Sequence, residues 1–162
     1  MMDKLLKTLV FVLLNICCAN SQTNDSLPPA RYLIDSLEFS KLCKPEYRYE
    51  YFQVAGKNDK SSDQILKELK AVFVPPKDFR QSGFLTIKFI VNCHKELCCF
   101  HVFEMDETYQ TIEFDAGVKA QLIAFIKTLN GWKSAEYEGK TTNYRYYLNF
   151  VIKNGEFKKV SP

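Results

Sequence analysis

The sequence carries no marked excess of charge of either sign. Lys and Arg number 22 against 19 Asp and Glu, and so close a balance excludes the broad single-sign surface that nucleic acid or an anionic membrane calls for. Glycine is sparse, and none of the six residues falls into the spacing that cradles a phosphate. Histidine is scarcer still. His94 and His101 are the only two, which confines imidazole chemistry to one short stretch. The apolar run Leu9–Cys18 falls well short of the ~20 residues that a membrane-spanning helix requires.

That run has its own reading. Lys4 and Lys7 precede it and Ala19-Asn20-Ser21 follows as a small-x-small cleavage pattern, the layout of a signal peptide. Residues 1–21 are expected to be removed, leaving a mature chain that starts at Gln22, has no stable membrane span, and is periplasmic or secreted. Its formal charge falls from +3 to +2 with the loss of Lys4, Lys7 and Asp3. An uncleaved anchor, or a lipoprotein acylated at Cys17 or Cys18, stays open as an alternative. Ile16 is larger than lipidation sites usually allow.

Four cysteines remain in the mature chain: Cys43, Cys93, Cys98 and Cys99. An even number in an exported protein favours disulfides, and four cysteines have three full pairings that sequence does not separate. A bridge from Cys43 to Cys93, or to one of its hairpin neighbours, would tie the N-terminal arm to the remainder.

What is present suits one globular domain: 162 residues, 46% of them hydrophobic. Gln22 to Pro29 is polar and proline-bearing, and is expected to lack fixed structure. Arg31 to Lys44 fits neither a helical nor a strand period, so a short helix and an extended arm both stay open. Tyr47 to Val54 alternates as a strand with one wet face does. Residues 22–60 are thus read as an arm with one strand, and 61–162 as the folded domain.

Ser61-Ser62-Asp63 offers capping oxygens to a helix from about Asp63 to Phe73, which Pro75-Pro76 stops. Gly83 to Met105 follows as two strand-forming runs around a short polar break, a hairpin in which Leu85, Ile87, Phe89 and Val91 share one face. Met105 to Glu113 is a polar loop. Phe114-Asp115 opens a second helix with Val118, Leu122, Phe125, Ile126 and Leu129 on one stripe, and Asn130-Gly131 ends it. Asn143 to Lys153 alternates as a further strand, Asn154-Gly155 signals a turn, and Glu156 to Val160 is a short return strand. The order predicts an α+β fold: a small antiparallel sheet with two helices packed on one face.

Candidate chemistry gathers in the hairpin. Cys93, His94, Cys98, Cys99 and His101 offer zinc donors, but no paired C-x-x-C knuckles are present, and strand alternation places Cys98 and Cys99 on opposite faces. A cysteine nucleophile needs a thiolate beside an imidazole, and no Gly-rich turn or oxyanion segment accompanies these. Asp106-Glu107 reads as solvated surface, Lys158-Lys159 as too small a basic cluster for nucleic acid, and Trp132 as a core anchor. Neither catalysis nor a cofactor or metal is expected.

Taken together, Gly83-x-x-x-Ile87-x-Phe89-x-Val91-Asn92, the hairpin, the Phe114-Asp115 helix, Gly131-Trp132-Lys133, Gly139 and Tyr146-x-Leu148-x-Phe150 resemble the TonB C-terminal domain, in particular exported TonB-like proteins of the Bacteroidetes type. The resemblance spans Pro76 to Ile152, about half the chain. It departs from the pattern in having neither a full inner-membrane helix nor a long proline-rich spacer between Met1 and Tyr47, Val74-Pro75-Pro76 ahead of the opening glycine, and Lys95 where the turn glycine belongs. Energy transduction is therefore not implied. The implied activity is non-enzymatic: a protein-interaction module of the cell envelope that binds an extended peptide by strand addition. The receiving edge is placed at Tyr144 to Ile152, with Tyr144, Arg145, Tyr146, Tyr147, Leu148 and Asn149 meeting the partner. That partner would be an envelope protein, such as an outer-membrane transporter, or a second copy in a homodimer; an edge that pairs only with a second copy, or is capped within the chain, stays open as the alternative. The runner-up is a secreted thiol/disulfide or zinc-binding protein that uses the hairpin Cys/His cluster.

Overall fold

The structure, a computed structural model, describes residues 42–43 and 48–162. The expected signal peptide, the polar stretch 22–29, nearly all of 31–44, and Tyr47 lie outside the described residues. In chain order the elements are β1 (Arg48–Glu50), α1 (Ser62–Val72), β2 (Gly83–Val91), β3 (Leu97–Met105), α2 (Ala116–Thr128), β4 (Ala135–Tyr137), β5 (Lys140–Lys153) and β6 (Glu156–Ser161). The six strands make a mixed sheet, so the fold is α+β as the element order predicted.

Both helices start where their caps dictate. Ser61 Oγ accepts from the Gln64 amide while Gln64 Oε1 accepts from the Ser61 amide, a reciprocal box that satisfies two amides of the first turn of α1. Asp115 Oδ1 accepts from the amides of Gly117 and Val118 at the head of α2. Each helix turns one apolar stripe inward: Ile65 and Leu69 from α1, and Val118, Leu122, Phe125 and Ile126 from α2. They bury this surface against Leu85, Ile87, Phe89 and Val91 of β2 and Tyr144, Tyr146, Leu148, Phe150 and Ile152 of β5, one continuous core on one face of the sheet. Trp132 is part of that core, edge-on to Phe89 and Tyr146 at 5.2 and 5.1 Å between ring centroids.

Three features differ from the expected plan. First, β1 is parallel to β5, pairing Arg48 with Asn143 and Glu50 with Arg145, so the sheet is mixed rather than wholly antiparallel. Tyr49, Tyr51 and Val54 join the core, and residues 48–60 therefore belong to the domain rather than to an arm. Second, the expected strand 47–54 is cut short at Glu50, where Gln53 Oε1 takes the Glu50 amide and the chain coils through a single 3-10 turn, Tyr51–Gln53. Third, β4 was not expected; it forms a tight hairpin with the start of β5, Ala135 opposite Thr142.

The hairpin β2–β3 is organised by Asn92. Its buried side chain accepts from the amides of His94 and Glu96, both at 2.9 Å, and donates to Glu96 Oε2 at 3.0 Å. This supplies locally the hydrogen bonds that the turn backbone would otherwise seek from water. Lys95 takes the left-handed conformation at φ 67° where a glycine would be at ease.

Candidate partner-binding edge

The strand expected to offer a free margin is the centre of the sheet. β5 is paired along one side with β2 from Ile152–Gly83 to Tyr144–Val91. Its other side is taken by β1 at residues 143–145 and by β6 at 149–153. Between them the 3-10 turn folds over Tyr146 and Tyr147, with Tyr51 at 4.8 and 5.8 Å from their rings. Tyr144, Arg145, Tyr146, Tyr147, Leu148 and Asn149 are thus not an edge available to a partner. Tyr144, Tyr146 and Leu148 face the core; Arg145 pairs with Glu50 at 3.0 Å; Asn149 holds Thr86 at 3.1 Å. The reason is length: a strand of fourteen residues with alternating aromatics has room for several shorter strands along both sides, and such a strand buries best in the middle.

The margins of the sheet lie elsewhere. At the end of β3, Glu104 and Met105 are met by the returning loop, which pairs Met105 with Thr111 and sends the Ile112 amide to the Glu104 carbonyl. β6 pairs among the described residues with β5 alone, as β3 does with β2 over Leu97–Phe103. Phe157 and Val160 point into the core while Glu156, Lys158 and Lys159 are exposed, and charged side chains along a margin discourage indiscriminate strand pairing. Where β6 begins, a cleft of about 290 Å³ is lined by Lys70, Phe73, Pro75, Gly155, Glu156 and Phe157. Phe73 and Phe157 meet edge-on at 4.8 Å along its wall, and Val72 and Val74, on either side of Phe73, are 62% and 71% exposed. Such a cleft is small for a ligand site and offers an apolar seat for a side chain, with one cation and one anion at its rim. Sequence reading missed it because it is made by the end of α1 meeting a turn more than eighty residues downstream.

The cysteines divide into two sites. Cys43 and Cys93 are joined by a disulfide with Cα atoms 6.0 Å apart, one of the pairings left open by the sequence. Asn143 reinforces it, donating to the Cys43 carbonyl at 2.8 Å and accepting from its amide at 3.0 Å. Donor atoms of Cys43, Cys93 and His94 lie within 4.8 Å of one another, but bridged sulfurs are not the thiolates that bind zinc. Cys98 and Cys99 are buried, and alternation does not separate them. β3 bulges against β2, with Lys88 opposite His101 but Ile90 opposite Cys98. Cys99 has φ 59°, and both sulfurs fall on one side with Ile90 and Leu42. His101 lies in register with Lys88; burial, and then the charges of Lys88 and Arg48, hold it below the ordinary imidazole range.

Asp106 is a turn-former: its Oδ1 accepts from the amides of Thr108 and Gln110. The Thr108 hydroxyl is the largest of the influences that hold its carboxyl below the usual range. Glu107 reaches Lys153 at 3.4 Å.

Fold and margin together define a small α+β domain with a six-stranded mixed sheet, helices on one face, and a lateral strand, β6, that begins beside an apolar cleft. No protein-family model, curated protein or solved structure matches the chain.

Proposed function

We propose that this protein is an exported, non-enzymatic interaction module of the cell envelope that receives an extended segment of a partner protein as an added strand on β6. The observation that carries the reading is the outer side of β6, which is paired on one side only among the described residues and opens at its start onto the Phe73–Phe157 cleft. Strand addition draws affinity from main-chain hydrogen bonds and selectivity from side-chain pockets at alternate positions, and the one-sided pairing of β6 and the cleft at its start support that reading. Export is supported by the signal-peptide pattern of residues 1–21 and by the Cys43–Cys93 bridge, a bond that persists in oxidising compartments. The TonB-like resemblance supports the same class of activity, with the receiving strand moved from β5 to β6. An outer-membrane transporter is the partner class that resemblance suggests.

Selection of displayed extended peptides against the isotope-labelled mature chain tests the proposal. Selected peptides are expected to slow amide exchange across Glu156–Ser161 and to shift Phe73 and Phe157 resonances, with Glu156→Lys altering the preferred flanking charge. Protection confined to another strand, or no selectable peptide, would remove the reading. Slowed exchange at β6 on concentrating the protein alone would assign the margin to a second copy instead.

A further inference from the structure

We propose that Cys98 and Cys99 close a vicinal disulfide, a covalent ring between adjacent residues that stands beside the Cys43–Cys93 bridge. In a regular strand neighbouring side chains point to opposite faces, which would keep these two sulfurs apart. The bulge in β3 removes that separation: Cys99 is held at φ 59°, and Cys98 Sγ and Cys99 Sγ lie 3.3 Å apart. A left-handed backbone is unfavourable for any residue with a Cβ, yet a cysteine and not a glycine occupies this one. Its effect is to bring the second sulfur onto the first. Ile90 and Leu42 form the apolar surroundings of the pair. Leu42 adjoins Cys43, whose bridge to Cys93 anchors it there.

The chemistry balances with a low-molecular-weight disulfide as oxidant. A thiolate of Cys99 attacks one sulfur of the small disulfide and expels the first small thiolate. Cys98 Sγ then attacks the Cys99 sulfur of the mixed disulfide and expels the second. The small disulfide's S–S bond is lost and the Cys98–Cys99 bond is gained. Two electrons pass from the cysteines to the oxidant, and the two cysteine protons finish on the two released thiols. Because Cys98 is fully buried and Cys99 is 4% exposed, the exchange belongs to folding, before Leu42 seats over the pair, and the finished ring is shielded from solvent reductants.

Peptide mapping decides it. The chain is produced in an oxidising compartment, unfolded in guanidinium without reductant, alkylated with iodoacetamide and cut with trypsin. The peptide Glu96–Lys119 is expected to be unalkylated and lighter than its reduced form by two hydrogens, while Phe89–Lys95 stays linked through Cys93 to the peptide containing Cys43. Two alkyl groups on Glu96–Lys119, or a link from Cys98 or Cys99 to Cys43 or Cys93, would overturn the proposal. Cys98→Ser supplies the second arm: with no resolving thiol, Cys99 is then expected to take one alkyl group or to carry the small thiol as a mixed disulfide seen by mass, and a Cys99 with neither would show that Cys98 was never its partner.

Discussion

At the residue scale, several side chains are explained by backbone conformations that few other residues tolerate. Asn154 and Gly155 have φ 50° and 79°, the paired positive values of a two-residue hairpin turn whose twist matches its strands. Gly155 has a second constraint, since a Cβ there would lie 2.2 Å from the Phe79 carbonyl oxygen; Gly139, at φ 72°, has nothing within 4 Å of that position. Gly139→Ala should therefore show conformational strain alone, about 1 kcal/mol, whereas Gly155→Ala should lose about 2–3 kcal/mol in denaturant unfolding because strain and collision combine. Equal losses would show that the Phe79 contact relaxes freely. Tyr144 makes a different demand. Its hydroxyl donates to the Lys133 carbonyl at 2.9 Å, and burial, then the neighbouring Tyr146, pushes its ionisation far above the ordinary phenol range. The unfolded chain thus releases this proton first, so the contribution is intact below about pH 10 and is lost as pH rises beyond it. Thermal unfolding should show Tm falling above that pH, and Tyr144→Phe should make the fall shallower while lowering Tm at neutral pH.

At the element scale, the helices were the most legible parts, because their signals are local. Ser61 and Gln64 form a capping box three residues apart, and Ser61→Ala should destabilise the protein by about 1 kcal/mol. Gln64→Ala in the same background should add little, since the box is reciprocal; full additivity in urea melts would separate the two bonds. The hairpin β2–β3 and the strand β5 were legible for the same reason, through alternation and a short polar turn. Position within the sheet was not. Alternation in Tyr144–Ile152 reports a strand with one buried face, but it is silent on whether one or both of its sides are paired, and β5 proved central. The bulge in β3 was also illegible: nothing in Leu97-Cys98-Cys99-Phe100 marks Cys99 for a left-handed conformation, so the two sulfurs were assigned to opposite faces. β4, three residues long, is too short for a period to register. The cleft beside β6 depends on Phe73 and Phe157 meeting across distant sequence, a contact that no local pattern encodes.

At the scale of the whole molecule, the segment around Cys43 is fastened by two attachments of different chemistry. The Cys43–Cys93 disulfide spans 50 residues of chain, and on the loop-entropy account its removal by Cys43→Ser with Cys93→Ser should cost about 4 kcal/mol. The Asn143 amide engages both backbone groups of Cys43; Asn143→Leu leaves those groups without their partner, a loss of about 1–3 kcal/mol where water does not replace it. If the two attachments hold the same segment, their losses should not add. Once the bridge is gone the segment around Cys43 can leave the sheet, its backbone groups find water, and Asn143 no longer has them to hold. The triple variant should then unfold in guanidinium at nearly the midpoint of the double cysteine variant, the shortfall from additivity being the coupling between bridge and clasp. Full additivity would mean instead that the clasp survives reduction, with the segment seated by its own contacts, Leu42 against Ile90 and the Cys98–Cys99 pair, and the disulfide acting on the unfolded chain alone.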